Sequence, residues 1–184
     1  MTRVLVLNAH PDITASTANA RIVETFQKLM PEAQVRTLSQ TLGSNGFDIA
    51  AEQQALVESD VIVWQFPVYW YSVPALMKKW IDDVLAHGFA YGSEGTALHG
   101  KKLVLSMTTG APQAEYSHEG SMHFTLEEFL PPFVQTANMC GLLYQAPIVS
   151  YGMMYIPGVN TDEQKQIVLQ KADEHARRLF AAVQ

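Results

Sequence analysis

The sequence predicts an α/β fold: one doubly wound domain over residues 1–184, with a five-stranded parallel sheet of order 2-1-3-4-5 between two helical layers. Three observations lead there. Continuous apolar runs such as RVLVLNA (3–9) and DVIVWQF (60–66) are what strands buried on both faces require. Strand patterns alternate with helical ones from end to end. The turn after the first run, NAHPDITASTAN, holds no glycine, so it lacks the G-x-G-x-x-G of a dinucleotide fold, and no G-x-x-x-x-G-K-[ST] occurs anywhere.

The elements follow in order. Strand one is 3–9, and a helix over 17–30 stops at Pro31. QVRTLS (34–39) is a less apolar strand and belongs near an edge. Residues 46–59 carry a helical pattern with Ile49, Gln53, Leu56 and Val57 in register, and 60–66 is the third strand. A helix over 73–88 opens at Pro74 and closes at Gly88. KKLVLSMTTG (101–110) is the fourth strand. Residues 125–141 read as a helix broken by Pro131 and Pro132, with Thr125 and Glu128 at capping-box spacing. The fifth strand lies within 142–153, and Thr161 with Gln164 opens a terminal helix reaching about Val183.

Composition narrows the function classes. A formal charge of -6 and a pI near 5.4 argue against a nucleic-acid or anionic-membrane binder, which would cluster Lys and Arg. No window has the length of apolar residues that a spanning helix needs, and the first apolar run is too short for a signal peptide. The one cysteine, Cys140, excludes an internal disulfide and sits in an apolar stretch that reads as core. A cytoplasmic protein is expected. His118 and His123, with Glu115 and Glu119, read as a polar loop rather than a metal site, and Lys78 and Lys79 as a solvated helix face.

In an open α/β sheet the ligand crevice lies beyond the carboxyl ends of the strands at the topological switch. Three loops meet there. The first runs from His10 through Ser16, Thr17 and Asn19 and opens a helix, whose N-terminus can hold a phosphate without Lys or Arg. The ordinary alternative is that Ser16 or Thr17 only caps the helix and that His10 is a turn residue. The second loop, Pro67, Val68, Tyr69, Trp70 and Tyr71, offers backbone N–H groups and flat apolar surface for a planar ring; the alternative is packing in the core or between subunits. The third, Thr108, Thr109, Gly110 and Ala111, supplies hydroxyls and a glycine where backbone can approach a ring closely; the alternative is a plain strand-ending turn.

The stretches AHPDITASTAN, QFPVYWYSVPALMKKWIDDVLAHGFAYG, TTGAPQAEYSHEG and PPFVQTANMCG resemble, in this order, the NAD(P)H:quinone oxidoreductase family of flavodoxin-like flavoproteins, including its short bacterial forms and the ancillary subunits of glutathione-gated potassium-efflux systems. The resemblance spans most of residues 4–150, and the stretch ending in GFAYG is the most specific. It implies that His10, Ser16 and Asn19 bind the flavin phosphate, that 67–71 and 108–111 cradle the isoalloxazine, and that Tyr116 faces the substrate and assists hydride transfer. It also implies homodimers with sites at the subunit interface. Reduction of a quinone-like acceptor by NAD(P)H is then expected, with FMN favoured and FAD the alternative, since the C-terminal extension of the long FAD-binding members is lacking. The rival readings are an ancillary subunit of a membrane antiporter and a flavodoxin-type electron carrier. Two departures stand out. Met122 occupies the place of a histidine found six residues after the tyrosine in the mammalian-type enzymes, for which His118 and His123 are the nearby candidates. Ala111-Pro112 stands where a glycine-rich stretch is common.

Overall fold

The computed structural model describes residues 2–184. β1 (Val4–Asn8) and β3 (Val61–Pro67) are buried along their whole length. Between them in sequence come α1 (Thr17–Leu29), β2 (Gln34–Thr37), the one-turn α2 (Leu38–Thr41) and α3 (Ile49–Glu58). After β3 come α4 (Ala75–Val84), β4 (Lys102–Thr108), α5 (Pro131–Met139), β5 (Leu143–Tyr144), β6 (Ile148–Ser150) and α6 (Asp162–Val183). All strand pairs are parallel, and the order is β2-β1-β3-β4-β5, with β6 also on β4. Because Asn8 pairs with Gln65 and Pro67 with Thr108, the loops after β1, β3 and β4 leave from one edge.

Strand alternation splits the core in two. Val4, Val6, Val61, Val63 and Val104 face α1 and α6, whose Ile22, Phe26, Val168, Ala172, Ala176 and Leu179 fall at helical spacing. Leu5, Leu7, Ile62, Trp64, Leu103 and Leu105 face α3, α4 and α5 on the other side. On that side Glu52 is 1% exposed and accepts from Arg36 Nε and Nη2 at 3.0 and 2.6 Å and from Trp80 Nε1 at 3.0 Å. The buried face of α3 is therefore centred on Glu52, Ala55 and Leu56, while Val57, expected in register, is 44% exposed.

Several element boundaries differ from the expectation, each for a local reason. The fifth strand is split: residues 145–147 stand opposite only 104–105, between the pairs Leu103↔Tyr144 and Ser106↔Ile148. Pro147 cannot donate to the ladder, and the surplus residue forms a bulge on the sheet edge. The second strand ends at Thr37, where β1 ends opposite it, and the chain turns helical at Leu38. α4 stops at Val84, whose carbonyl accepts from Gln53 Nε2 at 2.9 Å; Gly88 belongs to the turn beyond, bonded to Tyr91. Pro131 and Pro132 open α5 instead of breaking a longer helix, since the first turn needs no N–H donors there. Before it, Glu128 reaches back to Thr125 N at 2.8 Å, leading into a 3-10 turn. At Thr161 both halves of the capping box are present.

Two features of the backbone and interior shape the carboxyl edge. Tyr69 and Ser72 exchange two backbone hydrogen bonds, and the central residues Trp70 and Tyr71 have φ of 49° and 61°. This is a type I′ turn, normally built from Gly, Asn or Asp. Inside, His175 of α6 is fully buried between Ser106 of β4, 2.7 Å from Nε2, and Ser150 of β6, 2.9 Å from Nδ1. Burial pushes its pKa down to about 3, helped by the Arg178 cation on the same helix.

Replacing Trp70, 92% exposed, by Gly is expected to stabilise the unliganded protein by up to about 1 kcal/mol in urea unfolding, the relief of left-handed strain less the added freedom of the unfolded chain. The His175 shift gives a pH signature. The folded pKa lies below the unfolded one, so its stabilisation is full above pH ~6.5 and is lost as pH falls from there towards about 3. The unfolding free energy should therefore drop more steeply through that window in the native protein than in His175→Gln. Equal slopes would mean that His175 titrates normally.

Candidate active site

The loop after β1 is organised by its own side chains. Asn8 Oδ1 accepts from His10 N at 3.4 Å, and His10 Nδ1 accepts from Asp12 N at 3.2 Å. Nδ1 is thereby an acceptor, so the neutral ring carries its proton on Nε2. Burial lowers the His10 pKa, with the Asp12 contacts opposing. Asp12 accepts from Thr14 Oγ1 and N and from Ala15 N, capping the 3-10 turn Ile13–Ala15; the Thr14 hydroxyl is the first cause of its lowered pKa. Ser16 then caps α1, its Oγ accepting from Asn19 N at 3.0 Å. The capping role is thus real for Ser16. It leaves the backbone N–H groups of Thr17 and Ala18 without intrahelical partners, and α1 has no acid in its first turn.

The other two loops close around this one. Val68 N donates to Thr108 O at 2.8 Å, binding the second loop to the third. Thr109 N donates to Ser150 O at 3.0 Å, and Met153 N to Thr109 O at 2.8 Å, so the segment after β6 joins the same rim. Thr109 Oγ1 also donates to Ala111 O at 2.8 Å.

Between the loops lies a cavity of about 460 Å³. It brings together His10, Ser16, Thr17, Asn19, Pro67, Val68, Tyr69, Thr108, Thr109 and Gly110. No Lys, Arg, Asp or Glu lines it. Trp70, Tyr71, Ala111 and Tyr116, also expected at the site, lie outside its lining. The reversed turn explains the first two: Trp70 points to solvent, and Tyr71 stacks on Phe129 at 5.0 Å and 26°. Phe124 continues that row, 5.8 Å from Phe129. Phe66, the first ring of the aromatic run, turns inward against Phe133. Tyr116 stands outside the wall beside Thr109, tilted against Tyr151 at 5.6 Å. Burial raises its pKa, so the phenol keeps its proton and is a donor.

Sequence reasoning missed Ala15, Ala18, Met153, Met154 and Tyr155, which complete the lining. The last three follow β6 and so leave the sheet at the carboxyl edge, the placement that singled out the other loops. His118 and His123 do not reach the cavity. His118 Nδ1 lies 3.1 Å from His123 O, its Nε2 3.5 Å from Glu128, and Glu115 accepts from Ser121 N; the loop is knitted to itself. Among the described residues no group of three or more His, Cys, Asp or Glu is placed to hold a metal, and no helix is long and apolar enough to cross a membrane. Cys140 is buried, and burial raises its thiol pKa.

Known proteins resemble the chain along most of its length. Residues 2–177 match the family model described as a flavodoxin-like fold. An uncharacterized NAD(P)H oxidoreductase of Bacillus subtilis is 38% identical over 157 residues, 84% of this chain and 88% of that one. The crystal structure of general stress protein 14 from Treponema denticola in complex with FMN superposes with a TM-score of 0.87 at 33% identity, covering 99% of each chain. An NADPH-quinone reductase from P. pentosaceus superposes with a TM-score of 0.75 at 27% identity, covering 95% of this chain and 98% of that one. The chain belongs to the flavodoxin-like NAD(P)H oxidoreductase family.

Proposed function

We propose that the protein is an FMN-dependent NAD(P)H oxidoreductase that passes two electrons to a quinone-type acceptor by a ping-pong route. The observation that carries this reading is the cavity itself: uncharged walls, a free helix N-terminus at one side and a strained aromatic turn at the other. The match to an FMN-bound relative over 99% of the chain supports the choice of cofactor.

The residues present fit that group. The Thr17 and Ala18 amides, the Ser16 and Thr17 hydroxyls and Asn19 would hold the phosphate, with His10 Nε2–H as a further donor. No carboxylate faces that position to repel it. Pro67, Val68 and Tyr69 would flank the ring on one side and Thr108, Thr109 and Gly110 on the other, with Ala111, Trp70 and Tyr71 outside the wall. When bound, FMN supplies the chemistry of accepting and returning a hydride. The protein orients the donor and then the acceptor over one open face. Tyr116, a protonated phenol at the mouth, would donate to the acceptor's oxygen.

The exposed rings of Trp70, Tyr71 and Phe124 lie beside that mouth and support contact with a second copy of the chain. A homodimer would cover them and wall the site.

The first test is the visible spectrum of the purified protein. Flavin bands that bleach under anaerobic NADH or NADPH and return with menadione are expected; a colourless protein that refuses added FMN and FAD would sink the reading. Tyr116→Phe should lower turnover by about tenfold or more with FMN affinity unchanged. An unaltered rate would remove Tyr116 from the mechanism. Sedimentation should give about twice the 20.4 kDa chain mass, shifting to monomer in Phe124→Glu.

A further inference from the structure

One run of side chains crosses the interior from the surface of α6 to the cavity. Arg178 Nη2 donates to Ser150 Oγ at 2.7 Å, and Ser150 Oγ lies 2.9 Å from His175 Nδ1. His175 Nε2 lies 2.7 Å from Ser106 Oγ, which bonds Gln65 Oε1. Gln65 Nε2 donates to Asn19 Oδ1 at 2.8 Å, and Asn19 Nδ2 to Thr108 Oγ1 at 3.2 Å. His175, Ser106 and Gln65 are fully buried, Asn19 and Thr108 are 3% exposed and Ser150 8%. The run links α6, β6, β4, β3 and α1, and both of its last members line the cavity.

Hydroxyls and a neutral imidazole can be oriented either way along such a run, and so can the Gln65 and Asn19 amides if both exchange oxygen and nitrogen, so something must choose. A guanidinium has no acceptor. With Arg178 donating to Ser150 Oγ, the Ser150 proton is free for His175 Nδ1. His175 then donates from Nε2 to Ser106, Ser106 to Gln65, Gln65 to Asn19 and Asn19 to Thr108. Each group gives one proton onward and receives one, so no buried group along it is left unpaired. In the reverse direction Ser150 would receive from both Arg178 and His175. Its own proton would then need another acceptor. In the forward direction the run ends on the Thr108 proton, which has no protein acceptor among the described residues. Hydrogen bonds aligned in one sense polarise each other, and here the first donor is a cation.

We propose that His175 is a positioning residue for the cavity's ligand: relaying between Ser150 and Ser106, it carries the direction imposed at Arg178 through the buried chain and so presents the Thr108 hydroxyl as a donor to an oxygen of bound FMN. This rests on the FMN reading for the ligand. The direction of the chain does not.

Two measurements test it. Long-range proton–nitrogen NMR on protein labelled with nitrogen-15 histidine reads the tautomer of His175, identified among the six histidines by its loss in His175→Gln. A proton on Nε2 with Nδ1 bare is expected, and the opposite tautomer would overturn the proposal. FMN affinity is then measured in a double-mutant cycle. Thr108→Val should weaken FMN roughly tenfold in the native background but only about twofold beside His175→Phe. His175→Gln, whose amide can accept from Ser150 and donate to Ser106, should restore most of the Thr108 effect. Equal losses in both backgrounds would leave His175 a packing residue and refute the coupling. Should His175→Phe fail to fold, Ser106→Ala breaks the same chain. Failure of FMN to bind native protein would sink the cofactor reading instead, with the tautomer still deciding the direction.

Discussion

The bond between the amides of Gln65 and Asn19 is the constraint on which the carboxyl edge depends. It is 2.8 Å long, and neither residue meets solvent appreciably. A buried amide without a partner is costly, so Gln65 cannot sit in the middle strand unless α1 brings Asn19 over it. Asn19 also donates its backbone N–H to Ser16 Oγ, where α1 begins. The register of the helix start is therefore tied to β3 through one side chain. The helix end of the first loop, from Ser16 to Asn19, hangs from that tie, while the bonds within the loop place His10. The apolar packing of Ile22 and Phe26 holds α1 to the sheet, but packing alone tolerates small slides. The amide pair does not.

The same edge handles charge by removing it. The protein carries a net charge of -6, a poor background for binding a dianion. Yet the cavity walls are neutral, and Asp12, the nearest acid in the first loop, is turned onto Thr14 and Ala15 and consumed in its own turn. What remains is the partial positive end of a 13-residue helix, worth about 0.3–1 kcal/mol per charge when exposed and more when partly buried. With directed N–H and hydroxyl donors added, the proposed phosphate site needs no salt bridge. Such a site places the ligand by geometry rather than by long-range attraction.

Much of this was legible in the chain, and the illegible part has a physical explanation. The rim could be read because strand ends announce themselves: apolar runs stop at His10-Pro11, at Pro67 and at Thr108-Thr109, and the topology rule brings those stops together. Ten of the cavity residues follow from that. The polar chain beneath could not be read. Gln65 and Ser106 each interrupt an apolar strand, which signals a buried partner, but the partners stand 46 and 69 residues away. His175 looks like surface inside DEHARR, although it falls on the stripe of Ala172, Ala176 and Leu179 at helical spacing. The split fifth strand had its signal in Pro147, which cannot sit in an unbroken ladder. The reversal at Trp70 and Tyr71 had none, because aromatic residues almost never occupy two left-handed positions in succession.

That reversal is the clearest sign of what the edge is for. Two consecutive non-glycine residues at positive φ cost about 1–2 kcal/mol each, and a glycine pair would make the same turn with less strain. The turn keeps Tyr69 in the cavity wall, edge-on to His10 at 6.4 Å, while sending Trp70 outward and Tyr71 onto Phe129. A turn of the ordinary hand with the same sequence would aim all three rings differently. Strain that persists in a folded chain must be held by its surroundings. Here the holders are the paired backbone bonds between Tyr69 and Ser72, the bond from Val68 to Thr108 and the Phe129 stack. The unliganded protein gains little from aligning these rings with each other, since Trp70 remains 92% exposed. On the proposed reading the gain comes from something that covers them. A second subunit and a flat ligand at the mouth would each recover apolar area at about 25 cal/mol per Å², and an indole alone has enough to outweigh its own strain.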